Sequence, residues 1–186
     1  MVYIFLADGF EESEALLPAD ILKRAGLDVC LVSITADKLV ASSHGFKIMA
    51  DIVFSEIDLT QAAALIMPGG MPGAQNLCDF APLREAIITQ NECGGLLCAI
   101  CAAPMTLGVA GVLKDKRATC YPGFEKYLDC KVYTERLVEE DGHIITGRGP
   151  GAAAEFGFII AERLTSAECV AQLRQGMIYA PTTYRP

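Results

Sequence analysis

The sequence has no apolar run that approaches the ~18 residues of a membrane-spanning helix, which argues against a membrane protein. Basic residues are scarce: 15 Lys and Arg stand against 23 Asp and Glu, a formal charge of −8 at pH 7. A nucleic-acid or anionic-membrane partner would want a basic footprint, so neither is expected. Histidine is nearly absent, with only His44 and His143. There is no internal repeat, no low-complexity tract and no Pro/Ser-rich linker. Nor does the chain open with a basic segment followed by an export cleavage pattern; residues 2–7 read directly as a strand, and the expected location is the cytoplasm. Cysteine is plentiful, with eight residues. In an apparently cytosolic chain of this length, with most of them in apolar stretches, free thiols are expected rather than a disulfide framework.

At 186 residues with 52% apolar side chains, the chain suits one domain over 1–186 with a sizeable core. Short apolar runs alternate with helical patterns, which predicts a three-layer α/β sandwich around a mostly parallel sheet. Strands are expected at 2–7, 28–34, 63–67 and 96–100, with short ones at 118–120 and 131–134. A hairpin is expected over 137–146 around Asp141-Gly142. Helices are expected over 11–25, kinked at Pro18, and over 81–92, 102–110, 149–164 and 166–175. Residues 39–54 read as irregular, with a short hairpin.

The segment richest in chemistry is Leu97-Cys98-Ala99-Ile100-Cys101-Ala102-Ala103-Pro104, an apolar strand running into a helix without a loop. The residue at such a junction takes a strained turn, and its neighbours two positions away must be small. Ala99 and Ala103 meet that condition around Cys101, as in the Gly-x-Ser-x-Gly nucleophile elbow. A thiol at a helix start is favoured as thiolate, and the Ala102 amide is positioned to hold an oxyanion. The bland alternative is that Cys101 is a small buried hydrophobe. Cys93, Cys98 and Cys101 have the spacing of iron–sulfur ligands, but Cys98 falls within a strand, so no metal cluster is expected. A thioredoxin-type pair fails because the second cysteine, not the first, stands at the helix start.

Two further segments point to the same sheet edge. Pro68-Gly69-Gly70-Met71-Pro72-Gly73-Ala74 follows a core strand and reads either as a backbone anion nest or as a tight turn. In Gly9-Phe10-Glu11-Glu12-Ser13-Glu14, the first two glutamates read as solvated partners of a helix N-terminus. Glu14 is either another surface residue or a carboxyl facing the elbow, kept protonated beside a thiolate.

These three motifs in this order resemble the ThiJ/PfpI superfamily, in the branch that contains DJ-one and YajL. The resemblance runs from residue 2 to Gly147-Arg148-Gly149-Pro150-Gly151. It implies a flavodoxin-like sandwich of the class I glutamine amidotransferase-like type, usually a homodimer, with Asp20 and Arg24 near the dimer contact. It implies Cys101 as an oxidisable nucleophile and Glu14 as the acid bonded to it. Gly69 and Gly70 with Ala102 would provide the oxyanion and substrate amides, and Arg148 and Pro150 would line the pocket. No metal and no cofactor are implied. The expected activity is that of a deglycase or glyoxalase acting on methylglyoxal, glyoxal or their adducts on proteins. The alternative is a non-enzymatic oxidative-stress sensor or chaperone. Relatives are also labelled as thiazole monophosphate biosynthesis proteins. The chain departs from peptidase-like members in having Ala102 where they have His. Tyr121 stands where some relatives carry a pocket histidine, and His44 where relatives carry Arg. His143 is expected to be exposed after its hairpin turn.

Overall fold

Strand β1 (Val2–Leu6) is apolar at every position because both of its faces are covered. Val2, Ile4 and Leu6 enter one core, while Tyr3 and Phe5 enter another on the opposite face, as the two-residue period of a strand requires. In the computed structural model, which describes residues 1–179, β1 lies inside a seven-stranded sheet. Residues 180–186 of the expected domain span lie outside the described residues.

The other strands in chain order are β2 (Val29–Ser33), β3 (Leu39–Ala41), β4 (Lys47–Met49), β5 (Ile52–Val53), β6 (Ala64–Met67), β7 (Leu96–Ile100), β8 (Arg117–Ala118), β9 (Val132–Tyr133), β10 (Val138–Asp141) and β11 (Ile144–Gly147). The main sheet runs β10-β11-β7-β6-β1-β2-β5 and is parallel except for the β10–β11 hairpin. Helices α1 (Glu12–Arg24), α5 (Ala153–Leu164) and α6 (Ala167–Gly176) cover the face that holds Val2, Ile4, Cys98 and Ile100. Helices α2 (Gly73–Asp79), α3 (Ala81–Glu92) and α4 (Pro104–Val109) cover the face that holds Tyr3, Phe5, Leu97 and Ala99. This is the predicted flavodoxin-like α/β sandwich. No helix among the described residues is long and apolar enough to cross a membrane.

The chain winds from β1 outward to β2, then returns to the other side of β1 with β6. The carboxyl ends of β1 and β6 therefore border the crevice where the strand order reverses, and β7 ends beside them. The loop after β1 and the loop after β6 interlock there. Gly9 sits at φ +86°, and a Cβ on it would lie 2.8 Å from Pro72 N and 3.0 Å from Gly73 N.

Three expectations need correction. Helix α2 is absent from the expected helices, because three glycines and two prolines punctuate residues 68–73, which read as an anion nest or a tight turn. Yet Ala74, Leu77 and Cys78 recur at helical spacing and bury one face of it. The helix after the elbow starts at Pro104 rather than 102, since a proline without an N–H suits a first turn and Cys101 is not helical. The helix expected from 149 begins at Ala153, after a 3₁₀ turn over Pro150–Ala152.

Replacing Gly9 with alanine forces a side chain into a left-handed residue and against the neighbouring loop. The expected loss is about 3 kcal/mol of folding stability, read by urea denaturation. A Gly9→Ala variant as stable as the wild type would refute the interlocked loops.

Candidate functional site

Cys101 follows β7 directly and is one of the few non-glycine residues with positive φ, at +65°. Such a conformation costs about 1–2 kcal/mol and persists only where its surroundings fix it. Here the surroundings do. Cys101 N–H donates to the Gly147 carbonyl at 2.9 Å, and its own carbonyl accepts from Tyr121 N–H at 2.8 Å. Ala103 N–H reaches back to the Ile100 carbonyl at 3.1 Å. Ala99 and Ala103 are fully buried, as the close approach of strand and helix demands.

Glu14 comes from the first turns of α1 and has no exposed surface. Its Oε2 accepts the Gly69 N–H at 2.8 Å, while Oε1 has no protein partner. Gly69 lies between the carboxyl and the thiol. A Cβ there would stand 2.7 Å from Glu14 Oε2, 2.6 Å from Cys101 Cβ and 3.0 Å from Sγ. Only a residue without a side chain lets the Glu14 carboxyl and the Cys101 thiol approach each other. The backbone amides of Gly70 and Ala102 favour the ionised form of the sulfur. The structure thus brings together Cys101, Glu14, Gly69, Gly70 and Ala102. Cys101 is buried but retains 8% of its surface.

The charge state differs from the expectation of a free thiolate. Burial, then the charge of Glu14 and its hydrogen bond, push the thiol up to about 12 against the lowering effect of the Gly70 and Ala102 amides. Burial also pushes the Glu14 carboxyl up to about 7, against the lowering effect of the neighbouring Cys101 thiol and of the bond from Gly69 N–H. The expected dipole contributes little, because α4 is short and begins three residues beyond the sulfur. Between about 7 and about 12 the pair holds one proton and one negative charge. The sulfur is anionic when that proton sits on Glu14.

Arg148 and Pro150 line a shallow pocket of about 230 Å³ with Tyr121, Pro122 and Leu137. Two backbone bonds tie this pocket to the elbow, through Tyr121 and through Gly147, the residue before Arg148. Tyr121 lies in the pocket, at the position where the resemblance puts a pocket side chain; Leu137 is a lining residue the sequence did not indicate, because it comes from a separate loop that no local pattern signals. Larger depressions beside Arg24 and beside Phe54 lie away from Cys101.

Neither histidine serves the sulfur. His44 Nδ1 meets Glu12 Oε1 at 2.8 Å. His143 is half-buried rather than exposed, with Nε2 2.8 Å from Asn91 Oδ1, and burial lowers its basicity. Its carbonyl pairs with Leu97 N–H near the start of β7, whereas Cys101 follows that strand's end. The cysteines are likewise dispersed. Cys93 is exposed ahead of β7, and Cys98 is buried within it on the face covered by α1 and α5.

The DJ-1/PfpI family model matches residues 1–163. The chain is 37% identical over 182 residues to Protein DJ-1 homolog B of Arabidopsis thaliana, covering 97% of this chain and 42% of that protein. It therefore spans less than half the length of that relative. It is 34% identical over 166 residues to the glutathione-independent glyoxalase DJR-1.2 of Caenorhabditis elegans, covering 85% and 84% of the two chains. Oxidized Toxoplasma gondii DJ-1 superposes with a TM-score of 0.92 at 32% identity, over 96% of this chain and 98% of that one.

Two measurements test the shared proton. Alkylation of Cys101 by iodoacetamide, resolved by mass spectrometry, should rise with pH up to about 7 and then level off, with no such step in Glu14→Gln. A single rise centred near the ordinary thiol value of ~8.5 in both proteins would overturn the pairing. In folding stability, a carboxyl whose folded value is raised stabilises fully below its ordinary 4.5, and that contribution is lost as pH climbs to about 7. Wild type should lose about 3 kcal/mol relative to Glu14→Gln across that window, read by denaturant titration.

Proposed function

The chain belongs to the DJ-1/PfpI family, and on that footing we propose that it is a cofactor-independent, cysteine-dependent enzyme for small dicarbonyl compounds, a glyoxalase or deglycase. The observation that carries this reading is the meeting of a strained, slightly exposed thiol, a buried carboxyl and two amides around one glycine. The name of the nematode relative, a glutathione-independent glyoxalase, supports the substrate class.

With an α-oxoaldehyde such as methylglyoxal, Cys101 sulfur attacks the aldehyde carbon while Glu14 takes the thiol proton. The carbonyl oxygen gains the negative charge, and the Gly70 and Ala102 amides stabilise it. Glu14 then returns its proton to that oxygen, giving a hemithioacetal. The ionised carboxylate next removes the hydrogen from the former aldehyde carbon, and a proton is delivered to the neighbouring carbonyl carbon through an enediol. The first carbon is thereby oxidised to a thioester and the second reduced to an alcohol, so no external redox partner is needed. Water cleaves the thioester, releasing a hydroxy acid and restoring the thiol. An adduct on a protein amino group follows the same course, with the amine as leaving group. Arg148 and Pro150, with Tyr121, form the adjoining wall that orients the substrate. Tyr121 in place of a pocket histidine aligns the chain with the YajL-like members. A second copy of the chain is the expected partner, meeting it near Asp20 and Arg24, which form an exposed i,i+4 pair. The proposed setting is the cytoplasm.

A second reading rests on the same sulfur and on the oxidized state named for the Toxoplasma relative. Peroxide would convert the thiolate to sulfenate and then sulfinate, each step releasing water, and the protonated Glu14 and the two amides would hold the new oxygens.

Single-turnover reaction with methylglyoxal should yield lactate in wild type and none in Cys101→Ala. Glu14→Gln should be slower by about 100-fold or more. Lactate formation unaffected by Cys101→Ala would refute the enzyme reading. Mild peroxide should oxidise Cys101 ahead of the other seven thiols; even oxidation of all eight would refute the sensor.

A further inference from the structure

The pocket beside the elbow is apolar and larger than a methyl group needs. The parallel register sets Gly147 beside Ile100, so the chain that continues from β11 leaves the sheet next to Cys101. Tyr121 N–H donates to the Cys101 carbonyl at 2.8 Å, which brings a second loop to the same place. Between these segments lies the pocket of about 230 Å³, with Tyr121, Pro122, Leu137 and Pro150 as its apolar walls. An apolar cavity of ~150 Å³ accommodates a benzene ring.

The ring of Tyr121 is braced on one side and open on the other. A Cβ on Gly149 would lie 3.2 Å from Tyr121 Cδ2 and 3.7 Å from Cε2, so the ring rests against the Gly149 backbone. Yet Tyr121 keeps 46% of its surface, and Leu137, on another loop, keeps 58%. Large apolar side chains left open around a concavity are what an apolar ligand covers, and a flat ring placed against tyrosine gains stacking beyond the area it buries. Charge points the same way. The charged side chain among the lining residues is Arg148, and its Nη2 already faces Glu135 Oε2 at 3.8 Å. With a net charge of −8 on the chain, the pocket suits a neutral group better than an anionic one.

Resting on the dicarbonyl reading, we propose that the preferred substrates are 2-oxoaldehydes whose keto carbon carries a neutral, ring-sized apolar group, and that Tyr121 is the residue that selects them. The aldehyde carbon meets Cys101, and the substituent lies between Tyr121 and Leu137. Methylglyoxal presents only a methyl group to these walls. An apolar contact made by one substituent and missed by another discriminates by about 10–200-fold.

Phenylglyoxal and methylglyoxal are compared in single turnover, by the mandelate and lactate formed. In wild type the rate constant for phenylglyoxal should exceed that for methylglyoxal by about ten-fold or more. That ratio should fall by about ten-fold in Tyr121→Ala and in Leu137→Ser, and stay within about two-fold in Tyr121→Phe, which keeps the ring. Equal rates on the two aldehydes in wild type, or an undiminished ratio in Tyr121→Ala, would overturn the proposal and leave the dicarbonyl reading standing. Cys101-dependent turnover of neither aldehyde would sink both. Protection of Cys101 from iodoacetamide reads the pocket without turnover: acetophenone should protect wild type at about ten-fold lower concentration than acetone, and lose that advantage in Tyr121→Ala. Equal protection by the two ketones in wild type would refute the pocket assignment whatever the enzyme does.

Discussion

The contact on which the site depends is the one between the Gly69 amide and the Glu14 carboxyl. It joins the loop after β6 to the first turns of α1 at the switch point of the sheet, and it decides where the acid sits relative to the sulfur. A buried carboxyl with one bonded oxygen and one bare oxygen is costly to ionise, so Glu14 holds its proton to a higher pH than a surface glutamate. Without that glycine the carboxyl and the thiol could not approach each other, because any side chain at 69 would occupy the space both need.

The same burial that raises the acid raises the thiol, and the two effects do not cancel. Each group disfavours the second negative charge of the pair, so a single charge moves between sulfur and oxygen over a wide pH range. The amides of Gly70 and Ala102 favour sulfur as its resting place, and the bond from Gly69 favours Glu14. Reactivity here comes from exchanging a proton within a closed pair, which differs from the lowered thiol of a long helix start.

Much of this was legible in the sequence because it is local. Small residues two before and two after Cys101, a glycine pair after a core strand, and a carboxylate in the turn after the first strand each carry their geometry in a few positions. The parallel core strands and most helices were legible for the same reason, through uninterrupted apolar runs and period. What was not legible depends on long-range placement. Helix α2 hid behind glycines that serve the interlocking of two loops. The burial of Glu11 and Glu12 needs the turn at 42–45 laid over them, and that of His143 needs Asn91 from α3. The ionisation of Cys101 needs the summed effect of burial and Glu14, which no spacing reports.

The absence of a histidine bonded to the sulfur sharpens what the proposed chemistry must do. With His44 turned to Glu12 and His143 near the other end of β7, Glu14 is, among the described residues, the titratable side chain that acts on the thiol. It must therefore serve first as base toward sulfur, then as acid toward oxygen, and then as base toward carbon. A group near neutrality suits that alternation better than one at the usual carboxylate value, which would be too weak a base at carbon, or one at the thiol value, which would seldom be ionised. The burial that raises Glu14 to about 7 thus matches its pKa to repeated proton transfer.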